Sequence, residues 1–260
     1  MSKPHIPKIF VINLDRSLDR WEQISGQLDG LSLSYERISA VEGTALPDFG
    51  QAFNISKFKL IARHDLTHRE AGCSLSHILI WEKILAEDIP HALVLEDDVV
   101  VEGPLAKFLC SNCFTGFDYL KIDVDKANYP YEYTTVSETL NSDFTLAECD
   151  PIPFGMGGYI ISNNGARIFL KSSRDMYYPV DILPQFTYPY TKQGFVVPQL
   201  VRDRLVDSVI LGRDFVDHVT VLERLLGLFV KMTGKFLLRR LAVKMKLLIH
   251  RLKNWSYMSE

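Results

Sequence analysis

Cysteine is scarce in this 260-residue sequence: four residues, at 73, 110, 113 and 149. So few thiols, so spaced, do not make the framework of a disulfide-stabilised secreted domain, and they fit free thiols in a reducing compartment. Cys110 and Cys113 have the spacing of a zinc pair, but no second pair follows, which argues against a structural zinc site. A signal peptide is also missing from the expected features. Residues 1–8 have no apolar core region, and residues 9–14 are too short to form one. No glycine-rich phosphate loop is present either. Phe154-Gly-Met-Gly-Gly-Tyr159 permits close approach of a ligand, yet fits neither a dinucleotide fingerprint nor a P-loop. His64 and His68 are four apart without the acid that a zinc-protease helix needs, and read as ordinary polar residues.

What remains is an ordinary soluble composition, 47% apolar and 23% charged, long enough for one large domain with a sizeable core. The net charge of -3 conceals a division. Residues 223–260 carry nine Lys/Arg against two acids, a net +7, leaving -10 on the rest. That tail, with apolar clusters between its basic residues from about Val221, is too often interrupted by charge to span a bilayer. It suits an amphipathic helical appendage (221–260) on an anionic membrane surface, or a helix packed on the main domain (1–220) with its basic face solvated. No nucleic-acid module accompanies the charge, so nucleic acid is not an expected partner.

The chain is organised around Ala92-Leu93-Val94-Leu95-Glu96-Asp97-Asp98-Val99-Val100. A buried strand tolerates apolar residues on both faces but not three acids in its middle. The strand therefore ends near Leu95, and Glu96, Asp97 and Asp98 emerge at its carboxyl edge, where open α/β sheets hold ligands. Adjacent carboxylates suit a hard divalent ion; a solvated acidic turn is the alternative. Residues 8–14 read as a strand, 15–28 as a helix capped by Asp15 or Ser17, and 33–38 as a second strand, the start of a doubly wound sheet. Arg16 and Arg20 follow the first strand's carboxyl end, positioned for a phosphate or nucleobase, or else on a solvated helix face. Gly72 is expected to break the chain before a helix at 75–86 capped by Ser74. Ser76 and His77 then fall in its first turn, near donors that favour anions. Residues 117–124 form a further strand, ending near Asp123. Tyr129, Tyr131 and Tyr133 lie in a polar loop that suits a sugar acceptor or plain surface packing. Asp181 stands between Pro179 and Pro184 in an apolar run, exposed at a turn or functional.

Ile12-Asn13-Leu14 followed by Asp15 to Arg20, then Arg69-Glu-Ala-Gly-Cys-Ser-Leu-Ser-His77, Leu95-Glu-Asp-Asp98, Gly158-Tyr-Ile-Ile-Ser162 and Pro179-Val-Asp181 occur in order. Over residues 9–210 this set resembles glycosyltransferase family 25, the lipooligosaccharide galactosyltransferase group with collagen-modifying relatives. The resemblance implies a GT-A-like α/β fold with a Rossmann-type, mostly parallel sheet flanked by helices. It implies a UDP-hexose donor, Mn2+ or Mg2+, inversion at the anomeric carbon, and a lipooligosaccharide acceptor met at the cytoplasmic face of the inner membrane. It carries donor contacts to Asn13, Arg16, Arg20, Glu70, Ser76, His77, Glu96 and Asp97, and metal ligation to Asp98 and Asp97. Gly157-Gly158 departs from the larger polar residue of many relatives. Neutralising a diphosphate leaving group calls for a divalent ion, and deprotonating the attacking hydroxyl calls for a base. Asp181 is the candidate base, with Asp123 and Asp150 as rivals. The competing classes are a UDP-glucose-dependent transferase, a sugar nucleotidyltransferase, and a catalytically silent sugar- or membrane-binding protein.

Overall fold

The structure is a computed structural model that describes residues 6–204 apart from 47, 50, 51, 63, 125–133, 140–142, 150 and 151. The expected basic tail, the boundary at 220, the tyrosine loop and Asp150 lie outside those residues. In chain order the elements are β1 (Lys8–Asn13), α1 (Leu18–Gly30), β2 (Glu36–Ser39), α2 (Ile55–Ala62), α3 (His68–Ala86), β3 (His91–Glu96), β4 (Val99–Val101) and α4 (Leu105–Ser111). There follow β5 (Tyr119–Lys121), β6 (Thr134–Thr139), β7 (Thr145–Cys149), β8 (Gly158–Ser162), α5 (Asn163–Ser172), α6 (Leu183–Thr187), β9 (Gln193–Val197) and β10 (Val201–Asp203).

Eight strands form one sheet in the order β2-β1-β3-β8-β5-β9-β7-β6, and β4 pairs with β10 in a separate two-stranded ribbon. The pairs β1–β2, β1–β3 and β5–β9 are parallel, while β8 and β7 run against their neighbours. The sheet is thus mostly parallel in direction, six strands against two. From β1 the chain goes first to β2 on one side and later to β3 on the other. That reversal opens a crevice between the carboxyl ends of β1 and β3.

Strand alternation divides the core into two layers. Phe10, Ile12, Ala92, Val94, Tyr119, Tyr159 and Ile161 join one buried cluster with α3 and α5. Ile9, Val11, Leu93, Leu95, Leu120 and Ile160 join the other, with α1 and α4. Both faces of the central strands are covered, which is why they read as unbroken apolar runs. Among the described residues, no helix is long and apolar enough to cross a membrane.

Helix α3 departs from expectation. It begins at His68, not near Leu75, because Thr67 and Glu70 form a capping box in which Thr67 accepts from the Glu70 backbone N–H and Glu70 accepts from Thr67 N at 2.9 Å. Gly72 does not break it. A Cβ there would lie 2.6 Å from the Val41 carbonyl oxygen, and one on Gly43 would lie 1.7 Å from that of His68. The two glycines let a loop cross the helix backbone to backbone. Ser76 fastens the crossing, accepting from Val41 N at 2.8 Å and donating to Gly72 O at 2.7 Å. Ser76 and His77 therefore sit in mid-helix, away from the free N–H groups of a first turn.

Candidate active site

The three consecutive acids fan out from the carboxyl edge of β3. Glu96 is the last strand residue and continues the parity of Ala92 and Val94, so it faces α3. Its carboxylate lies 3.1 Å from His77 Nε2 and 3.6 Å from Cys73 Sγ. Asp97, on the opposite parity, faces α1. It is buried, accepts from Asn13 Nδ2 at 2.5 Å and pairs with Arg20 at 3.1 Å. Asp98 points outward, half-exposed, 3.5 Å from Arg20. Alternation separates Glu96 from Asp97, and the turn that follows β3 at residues 97 and 98 carries Asp98 to a third place.

Each support of this edge is traceable. Asn13 ends β1 and holds Asp97 with its amide, while its carbonyl accepts from Arg37 Nε at 3.0 Å. Arg37 in turn lies over the Trp21 ring at 4.9 Å. Arg20 bridges Asp97 and Asp98 from the start of α1, so one guanidinium is shared by two acids and leaves the pair with a net negative charge. Arg16 is mostly exposed and pairs with Glu42. Of the residues named from sequence, Asn13, Arg20, Asp97 and Asp98 come together on one side of β3, and His77 and Glu96 meet on the other. Glu70 serves the α3 cap and Ser76 the loop crossing.

On the α3 side, His77 is fully buried, and its Nδ1 lies 2.9 Å from the Tyr159 hydroxyl. Burial works to raise the Glu96 carboxyl, but the hydrogen bond from His77, with that of Cys73 and the charge of Lys121, outweighs it and holds Glu96 below its ordinary range. The Cys73 thiol is pushed well up, by burial first and then by the Glu96 and Asp181 charges. Asp181 occupies a single 3-10 turn, Val180–Ile182, immediately before α6. Burial, reinforced by the Glu96 charge, pushes its carboxyl up to about 6 against the opposing pull of Lys121. A carboxyl so placed changes protonation within the working range of an enzyme.

Sequence reading missed Lys121 altogether. It is fully buried at the end of β5, 3.0 Å from Asp123 Oδ1, and donates to the carbonyls of Phe154 at 3.1 Å and Gly155 at 2.6 Å. A buried ammonium needs such complete pairing. The clamp fixes the 154–158 loop, whose Gly157 carbonyl accepts from Glu96 N at 2.9 Å, so β8 enters the sheet tied to the acidic edge. The signal was a lysine two residues before Asp123 in an otherwise apolar run. Cys73 was visible in its motif but had no assigned partner.

Acids fanned at a topological switch point, beside a carboxyl raised by burial, make the sheet edge of this α/β protein a candidate polar ligand site. The comparisons make this particular. The sequence profile of glycosyltransferase family 25 (LPS biosynthesis protein) matches residues 6–184, and the chain belongs to that family. It is 29% identical over 153 residues to the lacto-N-neotetraose biosynthesis glycosyltransferase LgtE of Neisseria meningitidis, covering 54% of this chain and 53% of that one. It is 31% identical over 175 residues to procollagen galactosyltransferase 2 of Mus musculus, covering 62% and 27%. It is also 34% identical over 107 residues to the inactive glycosyltransferase 25 family member 3 of Homo sapiens, covering 39% and 18%. The match spans about half or less of the length of these relatives.

Proposed function

We propose that the chain is a metal-dependent, inverting glycosyltransferase that moves a hexose, galactose first among them, from a UDP-sugar to a hydroxyl of a lipooligosaccharide acceptor. The observation that carries this reading is Asp181, raised to about 6 beside the acidic edge of β3. Family membership and the names of the bacterial relatives support the substrate classes.

Asp98 and Asp97 are hard oxygen donors and fit a Mn2+ or Mg2+ ion at the outer side of the edge. The trio Cys73, His77 and Glu96 is the one group of three ligand-type side chains that converges among the described residues, with donor atoms within 4.8 Å of one another. It does not fit such an ion: one donor is a thiol held protonated, and another is an imidazole. A bound ion would act as a Lewis acid on the diphosphate. The chain's own groups do the rest. Asn13 and Arg20 hold Asp97 in place. Asp181, as carboxylate, takes the proton of the acceptor hydroxyl as its oxygen bonds to the anomeric carbon. The bond to the diphosphate oxygen breaks, UDP leaves with the electron pair, and the opposite-face attack inverts the centre.

The basic excess in residues 221–260 supports attachment to the cytoplasmic face of an anionic membrane, where a lipid-linked acceptor would be met. The test is a donor screen by UDP release with Mn2+ and a truncated lipooligosaccharide. Transfer should appear with UDP-galactose and fall by about 100- to 10,000-fold in Asp181→Asn. Near-parental turnover in that variant would move the base to Asp123 or Asp150. Turnover only with UTP and a sugar 1-phosphate would make the protein a nucleotidyltransferase.

A further inference from the structure

The hydrogen-bonding inventory around Tyr159 can be closed completely. Trp81, His77 and Tyr159 are each fully buried, so water cannot satisfy their polar atoms. Trp81 Nε1–H can only donate, and it donates to the Tyr159 hydroxyl oxygen at 3.1 Å. The second partner of that hydroxyl is His77 Nδ1, at 2.9 Å. Were Nδ1 to carry a proton, the Tyr159 oxygen would receive two donors and its own hydrogen would have no acceptor. This holds for the Nδ1–H tautomer and for the doubly protonated ring alike. With Nδ1 as acceptor, every group is satisfied. Tyr159 takes the indole proton's bond and gives its own to His77, and the imidazole proton sits on Nε2, directed at Glu96 3.1 Å away.

We infer that Trp81 and Tyr159 are positioning residues that lock His77 in its Nε2–H tautomer, making the Cys73–His77–Glu96 trio a hydrogen-bonded strut for the strand exit and not a metal site. The strut fixes the first acid of the edge from below. The backbone bond from Glu96 N to Gly157 O, at 2.9 Å, fixes it from the side. Together they leave Asp97 and Asp98 in constant register with Arg20. In this arrangement Nε2 has no lone pair to offer a cation. The thiol of Cys73, 3.6 Å from the same Glu96 oxygen, adds a second donor to that carboxylate. The kinetic consequence rests on the transferase reading above, whereas the tautomer does not.

Ring-nitrogen NMR of the 15N-histidine-labelled, metal-free full chain tests the tautomer, with His77 assigned by the signal lost in His77→Gln. The expected spectrum has a protonated Nε2 and an acceptor Nδ1, and Tyr159→Phe abolishes that fixed state. A protonated Nδ1, or an unchanged ring in Tyr159→Phe, overturns the inference. Cobalt(II) titration is the second arm. A thiolate-to-cobalt absorption band that vanishes in Cys73→Ala would make the trio a metal site. No such band is expected. In turnover, Tyr159→Phe and His77→Leu should each lose about 10- to 100-fold in kcat, the usual effect of removing a supporting hydrogen bond behind a site. His77→Gln should recover most of that, because its amide N–H and carbonyl reproduce both bonds, and a Gln variant as poor as Leu would refute the strut. If no transfer is detected in any form, the NMR and cobalt results still decide the strut, and the failure belongs to the proposed reaction.

Discussion

Asp181, the proposed base, should make the protein less stable as pH rises. Its carboxyl rises from 3.8 to about 6 on folding, chiefly through burial. The folded protein therefore holds this proton more tightly than the unfolded chain does. The stabilisation is fully present below pH 4 and is lost as pH climbs through about 6. About two units at 1.36 kcal/mol each gives roughly 3 kcal/mol at full effect, with about 2 kcal/mol of it falling between pH 4.5 and 8. Asp181→Asn has no charge to bury, so the variant should gain on the parent by that amount over the interval. Denaturant unfolding of both proteins at the two pH values, with chelator present, measures it. Taking the difference between pH values cancels any change in shape or hydrogen bonding that the substitution brings. At pH 8 the gain corresponds to several degrees in Tm for a domain of this size. A variant whose advantage is the same at both pH values, or that loses ground at pH 8, would refute the burial argument. With it would fall the reason for choosing Asp181 as base.

Asp98→Asn should abolish transfer and weaken UDP binding mainly when Mn2+ is present; equal affinities across a manganese titration would remove Asp98 from the metal site. Gly43→Ala should cost about 1–3 kcal/mol by forcing the loop off α3, whereas Gly26→Ala, with nothing within 4 Å of the new Cβ, should be stabilising by about 0.5–1 kcal/mol, both read by denaturant unfolding. Lys121→Met should cost about 3–5 kcal/mol in the same assay, because it leaves Asp123 buried without its cation. Ending the chain after Leu222 should preserve transfer to a soluble acceptor and abolish sedimentation with anionic vesicles; undiminished sedimentation would show that the tail is not the anchor.

The parallel half of the sheet was legible because its strands are covered on both faces and its first helix follows directly. The acidic edge was legible because three carboxylates cannot stay inside such a strand. Helix α2, at Ile55–Ala62, was hidden in a stretch whose Gly43, Pro47 and Gly50 signalled only irregularity. The strands β6 and β7 were hidden for another reason: Thr134–Thr139 and Thr145–Cys149 stand at one end of the sheet, and β6 is polar and follows a tyrosine-rich stretch of sequence. Gly72 misled because a helix-interior glycine looks like a break until its crossing partner, Gly43, is known. The separation of Glu96 from Asp97 could have been derived from alternation, whereas the outward direction of Asp98 depends on the turn that follows β3. What faces each acid could not, since Cys73, His77 and Arg20 arrive from helices whose register on the sheet only the packing reveals.

The placement of β8 has a consequence for how the protein is made. It enters the sheet between β3 and β5 although it is synthesised after both, and it pairs antiparallel with each. A nascent chain that has reached residue 150 already contains β1, β2 and β3, a compact half with local connections that can form early. Its β3 edge is then bare, and residues 92–95, buried on both sides in the finished protein, would offer unpaired backbone to any neighbouring chain. Fragments ending in the 120–155 region should accordingly aggregate, while those reaching past Val197, which also supply β9 to the edge of β5, should not. The same strand delivers Gly157 to Glu96, so closing the vulnerable edge and assembling the acidic site are a single late event in synthesis.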